Sequence, residues 1–274
     1  MKASHARAAA PPVPLRIEKA TNGVCTLTLS RPQARNALSL GMLDALTSAF
    51  AGIAADTSAR AVVLAAEGPV FSSGHDLKEI TAARQNADRG QAFFEETLSR
   101  CATLMQAIVA LPQPVIAAVE GVATAAGCQL VATCDLAIAG AEARFCTPGV
   151  SIGLFCSTPM VALTRNLSRK HAMEMLLTGD MVDADDAARF GLVNRVVPAG
   201  EALGAAQELA GRIAARSALT VKIGKRAFYD QAEMSLADAY VHCSRVMIEN
   251  LLARDSAEGI SAFIEKRPPE WQDR

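Results

Sequence analysis

Apolar positions along the first two thirds of the chain follow two periods, and segments with the two periods alternate. Short apolar or alternating runs have the pattern of buried or half-buried strands over residues 24–30, 60–67, 115–120 and 136–140. Longer segments that repeat apolar residues every three or four positions predict helices over residues 39–56 and about 91–110. Repeated alternation of strands and helices predicts an α/β fold.

The pattern becomes entirely helical near residue 199. Segments with helical spacing follow one another at about residues 199–215, 217–231, 235–252 and 254–266. No low-complexity linker separates these segments from the strands before them. We therefore predict an α/β core over residues 15–198 and a C-terminal helical domain over residues 199–274.

Two segments between the predicted strands have distinctive local chemistry. Residues 68–79, "GPVFSSGHDLKE", contain two glycines and a proline and are predicted to form a loop. Residues 124–135, "TAAGCQLVATCD", predict the start of a helix with Thr124 as its N-cap.

The first 14 residues have two interpretations. They contain basic residues, alanines and prolines but no acidic residue, as mitochondrial transit peptides do. Pro11, Pro12 and Pro14 would break an amphipathic helix, however, which favours a disordered leader. We therefore predict a cytoplasmic location, with the mitochondrial matrix as the alternative.

Composition excludes several classes of partner. The net charge of −1 gives no basic excess for nucleic acid or anionic lipid, and no apolar run reaches the roughly 20 residues that span a bilayer. The seven cysteines are an odd number without a CxxC pair, which favours a reducing compartment over disulfides or a zinc site. We expect no nucleic-acid, membrane or metal partner.

Several motifs together resemble one known family. The motifs are "RPQARNAL" (31–38), "FSSGHDLKE" (71–79), "PVIAAVEGVATAAGCQLVATCDLAIA" (114–139), "AMEMLLTGD" (172–180), "FGLVNRVV" (190–197) and "AFIEKRPPEW" (262–271). In this order they resemble the crotonase superfamily, also called the enoyl-CoA hydratase/isomerase family. The resemblance covers nearly the whole chain from about residue 15.

The resemblance implies a fold, an assembly and a ligand. The fold would be a spiral of ββα units in which two sheets meet at a large angle. The C-terminal helical domain would help to form a homotrimer, often paired into a hexamer. The ligand or substrate would be an acyl-CoA thioester, and no further cofactor is implied.

The resemblance also places an oxyanion hole in this chain. Thioester chemistry builds negative charge on the carbonyl oxygen, and each backbone N–H aimed at that oxygen contributes ~3–4 kcal/mol. The matching donors here are the N–H groups of His75 and Ala126, so His75 would act through its backbone. Ala126 begins the predicted helix, and a helix N-terminus carries free N–H groups and partial positive charge.

Two segments match the places where the family's chain passes the coenzyme. His75, Asp76, Leu77 and Lys78 would line the adenosine and thioester end of CoA, whereas Ala34 and Arg35 would lie beside the pantetheine and the phosphates. Arg35 and Lys78 are candidate phosphate partners. Alternatively, both are solvated surface charges.

Two glutamates of the family's hydratases are replaced in this chain. The matching positions hold Gln129 and Gly149. Hydration requires deprotonating a water and protonating Cα, and each general acid–base group contributes ~10²–10⁴-fold. A glutamine amide is a negligible proton acceptor and glycine has no side chain, so we expect little hydratase activity.

Several functions remain open at this point. The chain could bind and polarise a thioester without catalysis, as a regulatory acyl-CoA binder. It could also catalyse isomerisation, thioester hydrolysis or decarboxylation, or hydrate enoyl-CoA with a non-standard acid–base pair. The segment "GLFCSTPMVALTR" (153–165) departs from the glycine-rich turn of the hydratases, which indicates a reshaped acyl pocket.

Other reactive side chains have a functional and a structural interpretation. Ser73, His75 and Asp76 suggest a nucleophilic triad, but neighbours in sequence rarely converge as triads do. Cys128 is either a thiol with a lowered pKa at a helix start or a small buried apolar residue. Cys156 beside Ser157 is a candidate nucleophile, and Glu120 or Asp135 could supply a lone acid, although a structural role is the alternative for each. His171 and His242 lie on predicted helices without a ligand-spaced partner, which favours surface or core roles. The acids of 183–186 indicate a helix N-terminal cluster and not a metal site.

Overall fold

The structure is a computed structural model that describes residues 14–274. The leader predicted over residues 1–14 therefore lies almost entirely outside the described residues. The described strands are β1 Leu15–Lys19, β2 Val24–Leu29, β3 Ala61–Ala66, β4 Val70–Ser72, β5 Val115–Val119, β6 Val122–Thr124, β7 Leu136–Gly140, β8 Arg144–Cys146, β9 Val182–Asp183 and β10 Arg195–Val197.

The helices are α1 Leu40–Ala55, α2 Leu77–Ala83, α3 Gln91–Ala110, α4 Ala126–Thr133, α5 Ser157–Asn166, α6 Arg169–Thr178, α7 Ala184–Phe190, α8 Ala202–Ala214, α9 Ala218–Ala232, α10 Leu236–Leu252 and α11 Arg254–Glu265. Short 3₁₀ turns cover Pro32–Ala34 and Pro148–Ile152.

The described strands form two sheets, and strands β3 to β8 alternate between them. The larger sheet has the order β1-β2-β3-β5-β7-β10 and the smaller has the order β4-β6-β8-β9. The successive pairs β3/β4, β5/β6 and β7/β8 each send their first strand to the larger sheet and their second to the smaller, and helices follow each pair. This ββα repeat confirms the predicted fold class.

The larger sheet is covered on both faces. Helices α1, α3 and α4 bury one face in the main core, whereas α8 covers the other face with Ala202, Ala206 and Ala210. These alanines recur every four residues, so their small side chains let the α8 backbone approach the sheet closely. Burial on both faces explains why β3 and β5 read as continuous apolar runs.

The predicted strands and long helices are present, and two local predictions are wrong. The predicted loop over 68–79 contains β4 and the start of α2. Thr124 does not cap α4, because it ends β6 and its Oγ1 donates to the carbonyl of Ser73 at 3.1 Å. Ala125 occupies the N-cap without a side-chain hydrogen bond.

The predicted boundary at residue 199 falls between β10 and α8. Since α8 packs on the larger sheet, the first C-terminal helix is part of the core's packing. The division into a core over 15–198 and a helical domain over 199–274 stays a prediction. None of the helices in the described part of the chain is both long and apolar enough to cross a membrane.

A buried ion pair attaches α9 to the core. Lys225 Nζ lies 2.7 Å from Asp135 Oδ2 and also donates to the carbonyls of Ile108 and Gln113. Asp135 accepts further hydrogen bonds from the backbone N–H of Val115 and from the Tyr229 hydroxyl. Asp135 is therefore structural and not a free acid.

The C-terminal residues fold back onto the helices. The indole N–H of Trp271 donates to the carbonyl of Ala215 at 3.0 Å, and its ring lies against Gly259. The buried carboxylate of Asp255 accepts the backbone N–H groups of Gln272 and Asp273, each at 2.8 Å. The tail thus connects α11 to the junction between α8 and α9.

Candidate functional site

The backbone of the loop before His75 lies in close contact with the backbone at the start of α4. Gly74 has a positive φ of 82°, and a Cβ on it would lie 3.1 Å from the Ala126 nitrogen and 3.0 Å from the Ala125 Cβ. Both the conformation and the close approach favour glycine there. The structure therefore brings together the two segments that carry His75 and Ala126.

Contacts to β4 and β8 fix the start of α4. Ala125 has φ 50° and ψ −120°, a conformation that costs a non-glycine residue about 1–3 kcal/mol, and its N–H donates to the Cys146 carbonyl at 3.0 Å. Gly127 packs directly on the Ser72 carbonyl. The strained turn places the helix N-terminus, whose first N–H groups have no partner within the helix, beside the loop that precedes His75.

His75 is half-buried, and both nitrogens of its imidazole are buried without a partner in the described chain. Within residues 14–274, neither Nδ1 nor Nε2 has a hydrogen bond. Burial lowers the pKa of this imidazole, and the nearby Leu38 carbonyl offsets only part of that effect. Asp76 caps α2 by accepting the N–H groups of Lys78 and Glu79. Ser73, His75 and Asp76 therefore form no triad.

The candidate CoA-lining residues lie on adjoining segments. The N–H of Ser73 donates to the Arg35 carbonyl at 3.0 Å, so residues 34 and 35 run beside the His75 loop. The side chains of Arg35, Leu77 and Lys78 are exposed. Neither Arg35 nor Lys78 takes part in any ion pair of the described chain. Their contacts with CoA stay predictions.

Gln129 lies one turn into α4 and is 5% exposed. Its side-chain oxygen is buried and has no hydrogen-bond partner among residues 14–274. An orphaned buried acceptor is uncommon in proteins and often marks a place where a ligand or water binds. Gln129 thus places a neutral polar group one turn into α4.

Gly149 lies in the second 3₁₀ turn, and its neighbours fill the space beside it. A Cβ at this position would lie 2.8 Å from the Leu154 carbonyl oxygen and 2.9 Å from Cys156 Sγ. Real Cβ atoms essentially never come this close to other atoms. A glutamate at position 149 would therefore require the backbone of residue 154 to move.

The cysteines near the site are buried thiols. Burial raises the pKa of Cys128 and of Cys156, and it raises the pKa of Cys146 to about 11. Cys128 is therefore a small buried apolar residue, and its position at a helix start does not lower its pKa. The same effect leaves Cys156 protonated at neutral pH and disfavours it as a nucleophile.

The other candidate side chains have structural contacts. Glu120 accepts the N–H of Ala202 at the start of α8, and Asp183 caps α7 by accepting the N–H of Asp186. The His171 ring stacks on Phe190. His242 lies on α10, where its Nε2 is buried without a hydrogen-bond partner among the described residues. Between residues 14 and 274, no cluster of three or more His, Cys, Asp or Glu side chains could hold a metal ion.

Sequence reasoning missed Asn36, a fully buried polar residue beside this site. Its φ is 49°, in the left-handed region that asparagine tolerates better than most residues. The sequence offers one signal for a turn at this position, because asparagine favours turns and lies here between the charged Arg35 and the apolar pair Ala37–Leu38.

Comparisons with known proteins show the family to which the chain belongs. The sequence model of the enoyl-CoA hydratase/isomerase family matches residues 19–274. The Xenopus laevis protein called enoyl-CoA hydratase domain-containing protein 3, mitochondrial, is 47% identical over 258 residues, which is 94% of this chain and 86% of that protein.

Two solved structures have the same fold. A Mycobacterium smegmatis enoyl-CoA hydratase superposes with a TM-score of 0.90 at 50% identity and covers 95% of this chain and 99% of its own. Human enoyl-CoA hydratase domain-containing protein 3 superposes with a TM-score of 0.89 at 44% identity, over 94% of this chain and 100% of its own. The chain therefore belongs to the enoyl-CoA hydratase/isomerase family.

Proposed function

We propose that this protein binds acyl-CoA thioesters, with the thioester oxygen between the backbone N–H groups of His75 and Ala126. The close approach of Gly74 to the start of α4 supports this proposal, because it places the two donor segments side by side. Two donors aimed at one carbonyl oxygen stabilise negative charge on it. Arg35 and Lys78 would contact the phosphates of CoA.

We further propose that the protein does not hydrate enoyl-CoA efficiently. The observation that carries this conclusion is the absence of space at Gly149, where the Leu154 carbonyl oxygen and Cys156 Sγ would lie 2.8 and 2.9 Å from an added Cβ. Together with the neutral amide at Gln129, this leaves no carboxylate at either position of the family's acid–base pair. A polarised thioester without a proton acceptor undergoes hydration slowly.

The test measures binding and turnover on the same protein. Calorimetric titration with butyryl-CoA, which has no double bond, should show saturable binding. Incubation of excess protein with crotonyl-CoA should leave the enoyl absorbance unchanged on the timescale of ordinary hydratases. Absence of binding would refute the proposal that the protein binds acyl-CoA. Rapid loss of absorbance would show that the protein does hydrate enoyl-CoA and that another acid–base pair exists.

Gln129→Glu is the informative variant for this test. It restores one carboxylate without changing the size of the side chain. Because position 149 still lacks its partner, we expect crotonyl-CoA turnover to stay far below that of a two-glutamate hydratase. Full activity in this variant would show that one carboxylate is sufficient.

We propose that the protein assembles with itself as a trimer or hexamer. Helices α9–α11 expose many large apolar side chains, including Phe228, Leu236, Tyr240, Val241, Met247, Ile248, Leu252, Ile260, Phe263 and Ile264. Exposed large apolar side chains in this number on three successive helices are typical of a protein interface. Light scattering coupled to gel filtration would give the mass of the assembly.

The name of the Xenopus relative places that protein in mitochondria. It supports the mitochondrial matrix as the location of this chain and gives the cytoplasmic prediction no support. Expressing the chain with and without residues 1–14 in animal cells would test this alternative. Loss of mitochondrial targeting on removal of these residues would identify them as a transit peptide.

A further inference from the structure

Asn36 uses all of its side-chain hydrogen-bonding groups on backbone. Its Nδ2 donates to the carbonyls of Glu67 at 2.9 Å and Val70 at 2.8 Å, and its Oδ1 accepts the N–H of Arg31 at 2.9 Å. The side chain is 0% exposed. Asn36 therefore joins the segment that contains it to both ends of the turn between β3 and β4.

The backbone around Asn36 holds the loop that precedes His75. The Ser72 hydroxyl donates to the Asn36 carbonyl at 2.9 Å, and Ser72 Oγ accepts the N–H of Gly74 at 3.3 Å. The N–H of Leu38 donates to the Gly74 carbonyl at 2.8 Å. Both backbone polar groups of Gly74 are thus bound to residues that Asn36 positions.

The bond to the Gly74 carbonyl sets the direction of the His75 N–H. That carbonyl and the His75 N–H belong to one planar trans peptide unit, in which C=O and N–H point to opposite sides. Leu38, two residues after Asn36, holds the carbonyl on its own side. The N–H of His75 must then point away from the segment 36–38.

We propose that Asn36 is a positioning residue that aims the His75 N–H at the thioester oxygen. This inference rests on the proposed acyl-CoA binding. Asn36 touches no reacting atom, and it acts through the β3–β4 turn and the Gly74–His75 peptide. Oxyanion donors are effective only when their direction is fixed before the reaction, so a small rotation of this peptide weakens the polarisation of the carbonyl.

Asparagine suits this position for two reasons. It tolerates the positive φ of 49°, and its amide supplies the two donors that the carbonyls of Glu67 and Val70 require. An aspartate has nearly the same shape but has no donor when ionised. Asn36→Asp therefore places a carboxylate against two carbonyl oxygens and removes the clamp with little change in volume.

Gln113 provides a matched control. Its Nε2 also donates to two backbone carbonyls, those of Ile53 at 3.1 Å and Ala59 at 3.4 Å, and it is also buried. It lies at the opposite end of β3 from the His75 loop. Gln113→Glu removes the same kind of interaction and destabilises the fold without touching the oxyanion donors.

The experiment measures how strongly the bound carbonyl is polarised. Butyryl-CoA labelled with ¹³C at the thioester carbonyl is bound to saturation, and the carbonyl stretch is recorded by isotope-edited infrared difference spectroscopy. Hydrogen bonds from the protein lower this frequency. We expect the shift in the wild-type protein and in Gln113→Glu, and we expect Asn36→Asp to lose most of it while still binding CoA.

The outcomes separate the two proposals. Binding without a carbonyl shift in the wild-type protein would refute the oxyanion hole and, with it, the role of Asn36. A normal shift in Asn36→Asp would overturn only the role of Asn36. If Asn36→Asp does not fold, Ser72→Ala replaces it, because this change deletes the hydroxyl that bridges Asn36 and Gly74. A normal shift in Ser72→Ala would likewise refute the proposal.

Discussion

At the scale of single residues, Gly149 has no side chain, and other atoms already occupy the space beside its Cα. The Leu154 carbonyl oxygen and Cys156 Sγ lie only 2.8 and 2.9 Å from the place where the first carbon of a side chain would be. Restoring a glutamate there is therefore not a matter of one substitution.

We expect Gly149→Ala to lower the free energy of unfolding by about 1–3 kcal/mol, because the added methyl group overpacks the turn. Gly52→Ala in α1 is the control, since a Cβ there meets nothing within 4 Å, and it should stabilise the protein by about 0.5–1 kcal/mol. Urea unfolding of both variants gives the comparison. Equal effects in the two variants would contradict the crowding at position 149.

Cys156→Ala should reduce the cost of Gly149→Ala, because it removes one of the two crowding atoms. A double-mutant cycle should give a coupling energy above about 0.5 kcal/mol for residues in direct contact. The Leu154 carbonyl remains, so the rescue should be incomplete. Strict additivity of the two substitutions would show that Sγ does not limit position 149.

His75 should give the protein a stability that depends on pH. Burial holds the pKa of its imidazole below the ordinary value of about 6.5. The unfolded chain therefore takes up a proton near pH 6.5 that the folded chain does not, and stability falls as the pH drops below that value. Urea unfolding at pH 7.5 and 5.5 should show a smaller loss in His75→Leu than in the wild-type protein.

The same variant tests how His75 acts on the ligand. His75→Leu retains the backbone N–H, so its affinity for butyryl-CoA at pH 7.5 should stay within about threefold of wild type, less than 1 kcal/mol. A loss of tenfold or more would mean that the buried imidazole contacts the ligand.

At the scale of elements, length decides what the sequence reveals. The 20 residues of α3 repeat their apolar spacing over several turns, so its bounds were predictable from residues 91–110. β4 and β6 have three residues each, too few to show a period, and β4 was hidden in a predicted loop. Thr124 has the chemistry of a helix cap but pairs in β6, because tertiary contacts override a local preference.

The candidate site was likewise predictable from the sequence only in part. The segments of His75 and Ala126 could be identified from their motifs, and the neutral groups at Gln129 and Gly149 from their residue types. The crowding at Gly149 could not, because Leu154 and Cys156 approach it only through the fold of a short irregular turn. The contacts of Asn36 with Glu67 and Val70 also depend on residues more than 30 positions away.

The attachment of α9 should depend on the buried pair of Lys225 and Asp135. The Lys225 side chain is 7% exposed, so Lys225→Met leaves the Asp135 carboxylate buried without its cation and should cost about 3–5 kcal/mol. Arg226→Met, one residue along the same helix, breaks an exposed pair with Asp230 and should cost less than about 1 kcal/mol. Similar losses in the two variants would refute the role of the buried pair.

At the scale of the whole molecule, a single copy of the chain leaves the apolar side chains of α9–α11 exposed to solvent. On α11, Ile260, Phe263 and Ile264 form an exposed stripe at helical spacing, while Asp255 and Ala262 face inward. A stripe of this kind on the outside of a chain is typical of a surface that a partner covers. The stripe therefore supports the proposed self-assembly of the chain.

Phe263→Asp should reduce the mass of the assembly without unfolding the chain. The Phe263 side chain is 86% exposed, so a charge there is solvated in the single copy and buried only in an assembly. Lys222→Glu, an exposed change of charge on α9 outside the apolar set, is the control. Light scattering should show smaller particles for Phe263→Asp alone, and an unchanged mass would place the interface elsewhere.

The return of the tail onto Ala215 has a practical consequence. Trp271 is the only tryptophan of the chain, and its indole ring lies between Gly259 and the end of α8. Intrinsic fluorescence excited at the indole band therefore reports on this one junction, whereas circular dichroism averages over every helix. If the tail detaches before the core melts, the emission will shift to longer wavelength while the ellipticity is still unchanged.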